Sequence, residues 1–441
     1  MNRKTIDRRE FLRRGSIAAA AGAALPLLGP ALQASPASAA SAAPPDPDQL
    51  FQAGLFDAAD RGYARALQQD PDDAHALAQR GYIALLSNRF GAAESFLANA
   101  LQLTPDDPFT LGQLADCYVR QDNFASAVPL LNRSGATPAA AQYAALPEAA
   151  YQVLGPESTR VPIVQIDPLP VIEASLNGGA PQRFYFDTGA GTATFSQEIA
   201  DELGLTPVAT ATGTVGGGVQ VILNYGVLES LRIGGIEVRN LPVLWSPDAQ
   251  GPVTTPQPVG AIGTVLFYHF LTTLDYQGLG FILRRRSEAG LRAFQAAARR
   301  HGYRPLPLWL ADTHFPCTLG SLNDFGPHVV SMDTGGPGVG IVVTDQVAQE
   351  ADIPVDDQDP VLFLGALRPS VSPDRIALGD AVGTHVPGAV VPPGLTVGST
   401  GPLAFGFQTI GNFTHEFFKP FAVTFDYLEM NLYVTPTVPD C

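Results

Sequence analysis

The tripeptide Asp-Thr-Gly occurs twice in this chain, at Asp187–Gly189 and Asp333–Gly335, and each copy ends an apolar run. In "FYFDTGAG" three aromatic residues lead straight into Asp187, and in "VVSMDTGGPG" the same setting surrounds Asp333. A carboxylate at the end of so apolar a run is costly to bury unless it is paired or hydrogen-bonded. One copy alone is ordinary turn chemistry. Here the surroundings recur as well. A helix-like stretch follows each triplet, "FSQEIADELGL" and "VVTDQVAQEADI". A strand then reaches Gly234 or Gly379, an apolar pair ends at Gly263 or Gly411, and an aromatic-rich segment runs to Asp275 or Asp426. Landmarks repeated in order at near-equal spacing predict a duplicated chain with two like-folded β lobes.

These residues resemble the retropepsin-like aspartic proteases of bacteria, with both halves fused in one chain, over roughly residues 160–438. The resemblance implies an all-β, two-lobed acid-protease fold in which Asp187 and Asp333 meet at the lobe interface as the catalytic pair. It also implies supporting roles for Thr188, Gly189, Thr334 and Gly335. The apolar-Gly segments Ile262–Gly263 and Ile410–Gly411 are expected to thread beside the aspartates. The chemistry of the residue types agrees. Peptide hydrolysis needs an activated water and a proton donor, and two facing carboxyls that share one proton supply both. Threonine hydroxyls can brace the loops, and glycines allow close backbone approach. No metal or organic cofactor is called for.

Glycine-tipped hairpins should cover the cleft: "TGTVGGGVQVILNY", with Gly216, Gly217 and Gly218 at its tip, and a second near "LFLGALRPSV" at Gly365. No Lys-Ser/Thr follows the glycines of the first, so a phosphate cradle is a poor reading. Ala190 follows the first triplet and Gly336-Pro337 the second. That departure from the family pattern predicts a looser second loop. Asn177-Gly178, between two β-rich runs, predicts a hairpin.

Ahead of the lobes lies a repeat of period 34. "FDAADRGYARALQQDPDDA" begins at Phe56, "FGAAESFLANALQLTPDDP" at Phe90, and "FASAVPLL" opens a third copy at Phe124. Helix pairs with small contact residues and a proline after the second helix resemble tetratricopeptide repeats. Such arrays bind peptides or proteins, or serve as a subdomain that supports its neighbour. The expected organisation is therefore an all-α helical repeat at 48–135, an Ala/Pro-rich linker with some helix in it at 136–160, a first lobe at 161–284, a basic helical connector at 285–304 and a second lobe at 305–438.

The first residues read as an export signal over 1–43. Arg3, Lys4, Arg8, Arg9, Arg13 and Arg14 precede a short apolar run and a small-residue cleavage region. "DRREFLRR" resembles a twin-arginine signal, which implies a bacterial periplasmic or secreted protein with no membrane attachment once the signal is removed. The whole chain carries −16, and residues 1–40 hold six Lys/Arg against two Asp/Glu, so the remainder carries −20. So acidic a protein offers no electrostatic footprint for nucleic acid. Cys117, Cys317 and Cys441 are too few and too scattered for a disulfide framework, though Cys317 and Cys441 could pair. The sequence has no Gly-x-Ser-x-Gly or His-Glu-x-x-His motif, and its histidines lack ligand spacing. His269 and His415, just after the apolar-Gly segments, read as packed or surface side chains. The sequence supports an aspartic endopeptidase acting on peptide or protein substrates. The competing reading is a weak or inactive peptide-binding relative of the same fold whose repeats carry a protein interaction.

Overall fold

The structure is a computed structural model that describes residues 45–215, 219–247, 257–395 and 405–439. The export signal, Gly216, Gly217, Gly218 and Cys441 lie outside the described residues.

The period of 34 becomes helices. Phe56–Gln69, Phe90–Leu103 and Phe124–Ser134 each begin on the repeated phenylalanine. Ala59, Ala93 and Ala127, at the same place in each copy, are fully buried, so only a small side chain fits where the helices touch. The repeated Pro-Asp-Asp also has a local cause. Its last aspartate caps the next helix: Asp73 accepts from the Ala76 amide and Asp107 from the Thr110 amide. Each such cap stabilises a helix start by about 1 kcal/mol. The capped helices run Ala74–Leu86 and Pro108–Val119, with shorter helices at Pro47–Gln52 and Thr137–Ala144 at the two ends of the array.

The helices pack on the β region. Phe51, Phe56 and Tyr82 share one buried cluster with Phe315, Phe405 and Phe407 of the second half. Ala115, Val119, Phe124 and Ala127 join the large core of the lobes. Arg120, buried at the end of helix Pro108–Val119, pairs with Asp116 at 2.5 Å and donates to the carbonyls of Leu85 and Leu310.

The 136–160 segment differs from the expected linker. Gln142 donates to the carbonyls of Gly226 and Val243, both at 2.8 Å. Strand Gln152–Leu154 pairs with Ile236–Ser246, and Ser158–Pro162 pairs with Gly280–Arg285. Its Ala/Pro composition signalled a spacer, but strand pairing with distant partners overrides local composition.

Each lobe threads one short strand between two others. In the first, Gly260–Ile262 runs parallel to Gln182–Phe186 and antiparallel to Ala193–Ser196. In the second, Asn412–Thr414 runs parallel to Phe325–Asp333 and antiparallel to Ile341–Val343. Strand Gln182–Phe186 is flanked by partners, and Phe184, Tyr185 and Phe186 are all buried, which explains a continuous aromatic run instead of alternation. Asn177 and Gly178 both take positive φ, as the predicted hairpin requires.

A six-stranded sheet joins the halves. At its centre Phe270–Asp275 of the first lobe pairs antiparallel with Ala422–Asp426 of the second, and the buried hydroxyls of Thr273 and Thr424 meet at 2.8 Å. Between the lobes the basic stretch forms helix Glu288–Arg300, capped by Ser287, whose Leu291 and Phe294 pack on Leu271 and Tyr433. Two hairpin arms extend from the lobes, Ala209–Val215 with Val219–Ile233 and Val355–Phe363 with Ala366–Val371. Gly365 forms the tip of the second, where Leu364 and Gly365 both take positive φ. Cys117 and Cys317 are buried free thiols, and burial raises the pKa of each. Among the described residues no helix is long and apolar enough to cross a membrane.

Candidate active site

Strands Gln182–Phe186 and Phe325–Asp333 deliver Asp187 and Asp333 to one point between the lobes. Behind them, Thr188 and Thr334 lock the two loops together. The Thr188 amide donates to the Thr334 hydroxyl and the Thr334 amide to the Thr188 hydroxyl, both at 3.0 Å. Each hydroxyl in turn donates across the interface, Thr188 to the Met332 carbonyl and Thr334 to the Phe186 carbonyl. Both threonines are fully buried.

The glycines are required by proximity. A Cβ on Gly189 would stand 2.7 Å from Asp333 Oδ1, and one on Gly335 would stand 2.2 Å from Asp187 Oδ1. Any side chain there would push the carboxyls apart. The same glycines donate to the aspartate of their own loop, Gly189 N–H to Asp187 and Gly335 N–H to Asp333, each at 2.8 Å.

Burial raises the pKa of both aspartates above the ordinary carboxylate value. The charge of Asp333 raises Asp187 further. Two carboxyls so placed titrate as one pair sharing a proton. The environment is not symmetric. Asn412 beside the Asp333 carboxyl favours its charged form, and its Oδ1 accepts from Ser331 at 2.9 Å. The strand position matching Asn412 in the first lobe holds Ala261, which has no donor. This asymmetry favours the charged form at Asp333 more than at Asp187.

Ile262 and Gly263 lie beside the first aspartate: Ile262 pairs with Phe186, and its carbonyl accepts from the Asp187 amide. Ile410 and Gly411 do not hold the matching place. Met332 pairs with Phe413 and Asp333 with Thr414, so Phe413 and Thr414 stand where Ile262 and Gly263 stand in the first lobe. The "TIG" string is set three residues early because the second half carries extra residues before its threaded strand. This register also corrects the expectation of a loose second loop. A Cβ on Gly263 would strike the Ala190 carbonyl oxygen at 2.4 Å, whereas one on Gly336 would strike Thr414 Cγ2 at 2.7 Å. The lobes exchange the bulky and bare positions, Ala190 over Gly263 in one and Gly336 under Thr414 in the other. Thr414 ties its loop down, donating from its hydroxyl to the Val339 carbonyl at 2.6 Å and from its amide to the Gly340 carbonyl at 3.0 Å.

Asn412, Thr414 and Thr264, whose hydroxyl donates to the Thr188 carbonyl, were not found from the sequence, because parallel register cannot be read from one strand. The histidines after the segments are packed, as expected. His269 meets Asp122 at 2.8 Å, and His415 is fully buried. Asp167, His415 and Glu416 cluster closely enough to share a cation, but the Lys419 ammonium already pairs with Asp167 and with Glu416.

An aspartyl protease family model matches residues 172–264, and a tetratricopeptide repeat model matches residues 84–149. The chain thus contains an aspartyl protease domain preceded by a tetratricopeptide repeat region. The family match includes the first Asp-Thr-Gly and ends before the second. No curated protein matches the sequence. Among solved structures, the chain is similar to a retropepsin-like aspartic protease from Rickettsia conorii, at 20% identity over 31% of this chain and 96% of that one, TM-score 0.22. It is similar to conglutin gamma, a basic 7S globulin from lupine seeds, at 12% identity over 64% of this chain and 96% of that one, TM-score 0.38. Similarity to a Thermobaculum terrenum O-GlcNAc transferase mutant, at 21% identity and TM-score 0.21, covers 22% of this chain and only 19% of that one.

Proposed function

We propose that this protein is an exported aspartic endopeptidase with Asp187 and Asp333 as its catalytic pair. The observation that supports the reading is the pair of carboxyls that the two facing Asp-Thr-Gly loops bring together, so close that a Cβ on Gly189 or Gly335 would strike the carboxyl of the opposite loop. Ionised Asp333 takes a proton from a water as that water attacks the scissile carbonyl carbon. Protonated Asp187 donates to the carbonyl oxygen. The carboxyl that has gained the water's proton then passes it to the amide nitrogen as the C–N bond breaks, and a hydroxyl of the tetrahedral intermediate returns its proton to Asp187, leaving a new acid and amine and restoring the shared proton. The residues themselves supply the acid and the base, so this scheme has no step that needs a metal or cofactor.

The repeat region acts in this reading mainly as a brace, because its aromatic and small-residue faces are already buried against both halves of the β region. The Arg8-Arg9 segment supports twin-arginine export to the periplasm or beyond. Replacing Arg8 and Arg9 by lysine and fractionating cells tests that part: the protein should remain in the cytoplasm, and unchanged export would refute it.

The activity is tested by digesting a denatured protein mixture from acid to neutral pH with wild type, Asp187→Asn and Asp333→Asn. Wild type should cleave and both variants should lose at least about a thousandfold in kcat/KM, the scale of losing an essential acid or base. A wild type that never cleaves, or a variant that cleaves as well, refutes it. The first outcome favours a peptide-binding protein of the same fold.

A further inference from the structure

Asp312, Thr313 and His314 form a tight turn between strands Trp309–Ala311 and Phe315–Leu322 of the second lobe. Asp312 and Thr313 hold φ of 43° and 63°, a conformation that two consecutive non-glycine residues adopt only when their surroundings impose it. The imposing contacts come from both flanks. The Tyr268 hydroxyl of the first lobe donates to the Thr313 carbonyl, and Arg120 of the repeat region donates to the Leu310 carbonyl at 3.2 Å. The turn thereby carries the half-buried His314 ring across to the other lobe's catalytic loop.

There His314 Nε2 donates to the Gly189 carbonyl at 3.1 Å, and Nδ1 meets the Thr313 hydroxyl, also at 3.1 Å. The ring lies flat enough on the loop that a Cβ at Gly191 would stand 3.4 Å from Nδ1. Gly189 is therefore held between two groups: a Cβ on it would meet the Asp333 carboxyl at 2.7–3.0 Å, and its carbonyl faces His314. We propose that His314 is a positioning residue of the dyad, one that seats the first Asp-Thr-Gly loop, and with it Asp187, through the Gly189 carbonyl.

The groups around the ring are compatible with this role. Burial, the largest influence, lowers the pKa of the ring below its ordinary value, while Asp312 on its own turn and Asp116 on the repeat helix, itself paired with Arg120, favour the imidazolium. The Gly189 carbonyl accepts from Nε2 in either state, and the Thr313 hydroxyl can accept from or donate to Nδ1, so the seat on Gly189 survives a change in the ring's charge.

This inference rests on the proteolytic reading of the dyad, and its test separates the two. In the full exported chain, the Asp333 carboxyl 13C shift is titrated without substrate in wild type, in His314→Gln, whose amide can still donate to Gly189, and in His314→Phe, which loses that seat. The pH profile of kcat/KM is measured on the same proteins. Both readouts should stay near wild type in His314→Gln, whereas His314→Phe should shift the Asp333 midpoint by up to about one pH unit and lower kcat about tenfold at all pH values. His314→Phe that matches wild type in both readouts, or His314→Gln that changes as much as His314→Phe, overturns the inference even if wild type cleaves. A wild type that cleaves nothing while the midpoint still moves overturns the proteolytic reading and leaves His314 in place.

Discussion

Thr188 and Thr334, 146 residues apart in sequence, exchange amide-to-hydroxyl hydrogen bonds of 3.0 Å in both directions. Each hydroxyl accepts from the other loop's amide and gives its one proton to a carbonyl across the interface. Thr188→Val should leave the Thr334 amide and the Met332 carbonyl buried without partners, at a cost of about 2–4 kcal/mol, whereas Thr188→Ser should keep the brace and lose less than about 1.5 kcal/mol. Denaturant unfolding reads the difference, and cleavage should fall with the brace.

Gly336 and Thr414 make a second testable pair. Gly336→Ala should cost about 1–3 kcal/mol by driving a methyl into Thr414. Combining it with Thr414→Gly recreates the first lobe's arrangement, so the double variant should be more stable than the sum of the two single losses. A double-mutant cycle by urea unfolding that shows no coupling would refute the exchange.

The dyad should oppose stability. A carboxyl whose folded pKa is raised costs stability at every pH above that value, and the cost vanishes as pH falls below the ordinary pKa of 3.8. Asp187→Asn should therefore be more stable than wild type at pH 7, by on the order of 1 kcal/mol, with the gap closing toward pH 3.5. Thermal unfolding across that range checks both sign and window.

His415 has the opposite dependence. Burial first, and the Lys419 ammonium second, pull its pKa down from 6.5 to about 4. The unfolded chain binds a proton that the folded chain refuses between those values, so stability should fall as pH drops from 6.5 to 4, by on the order of 2–3 kcal/mol. His415→Leu should flatten that slope in denaturant midpoints measured at pH 7 and pH 4.

What could be read from the sequence was what depends on neighbours along the chain. Phe56, Phe90 and Phe124 mark helix starts because each follows a turn whose chemistry is written in the preceding residues. Asp187 and Asp333 could be singled out because an acid after a buried run needs a reason to be there. Thr414 and His314 could not. Their roles follow from which residue lies opposite in a parallel pair and from a turn that crosses between lobes, and both are fixed only when distant strands meet. The 136–160 segment misled for the same reason: a strand such as Gln152–Leu154 gets its identity from Glu237–Arg239, not from its own composition.

That segment has one more consequence. By adding a strand to the first lobe's sheet and then another to the edge of the shared sheet, it stitches the helical array into both layers that hold the dyad in place. The array is thus not a detachable handle. Helices, lobes and cleft should melt in a single transition, and a shortened chain beginning at residue 161 would expose Phe315, Phe405 and Phe407 where the helices now cover them.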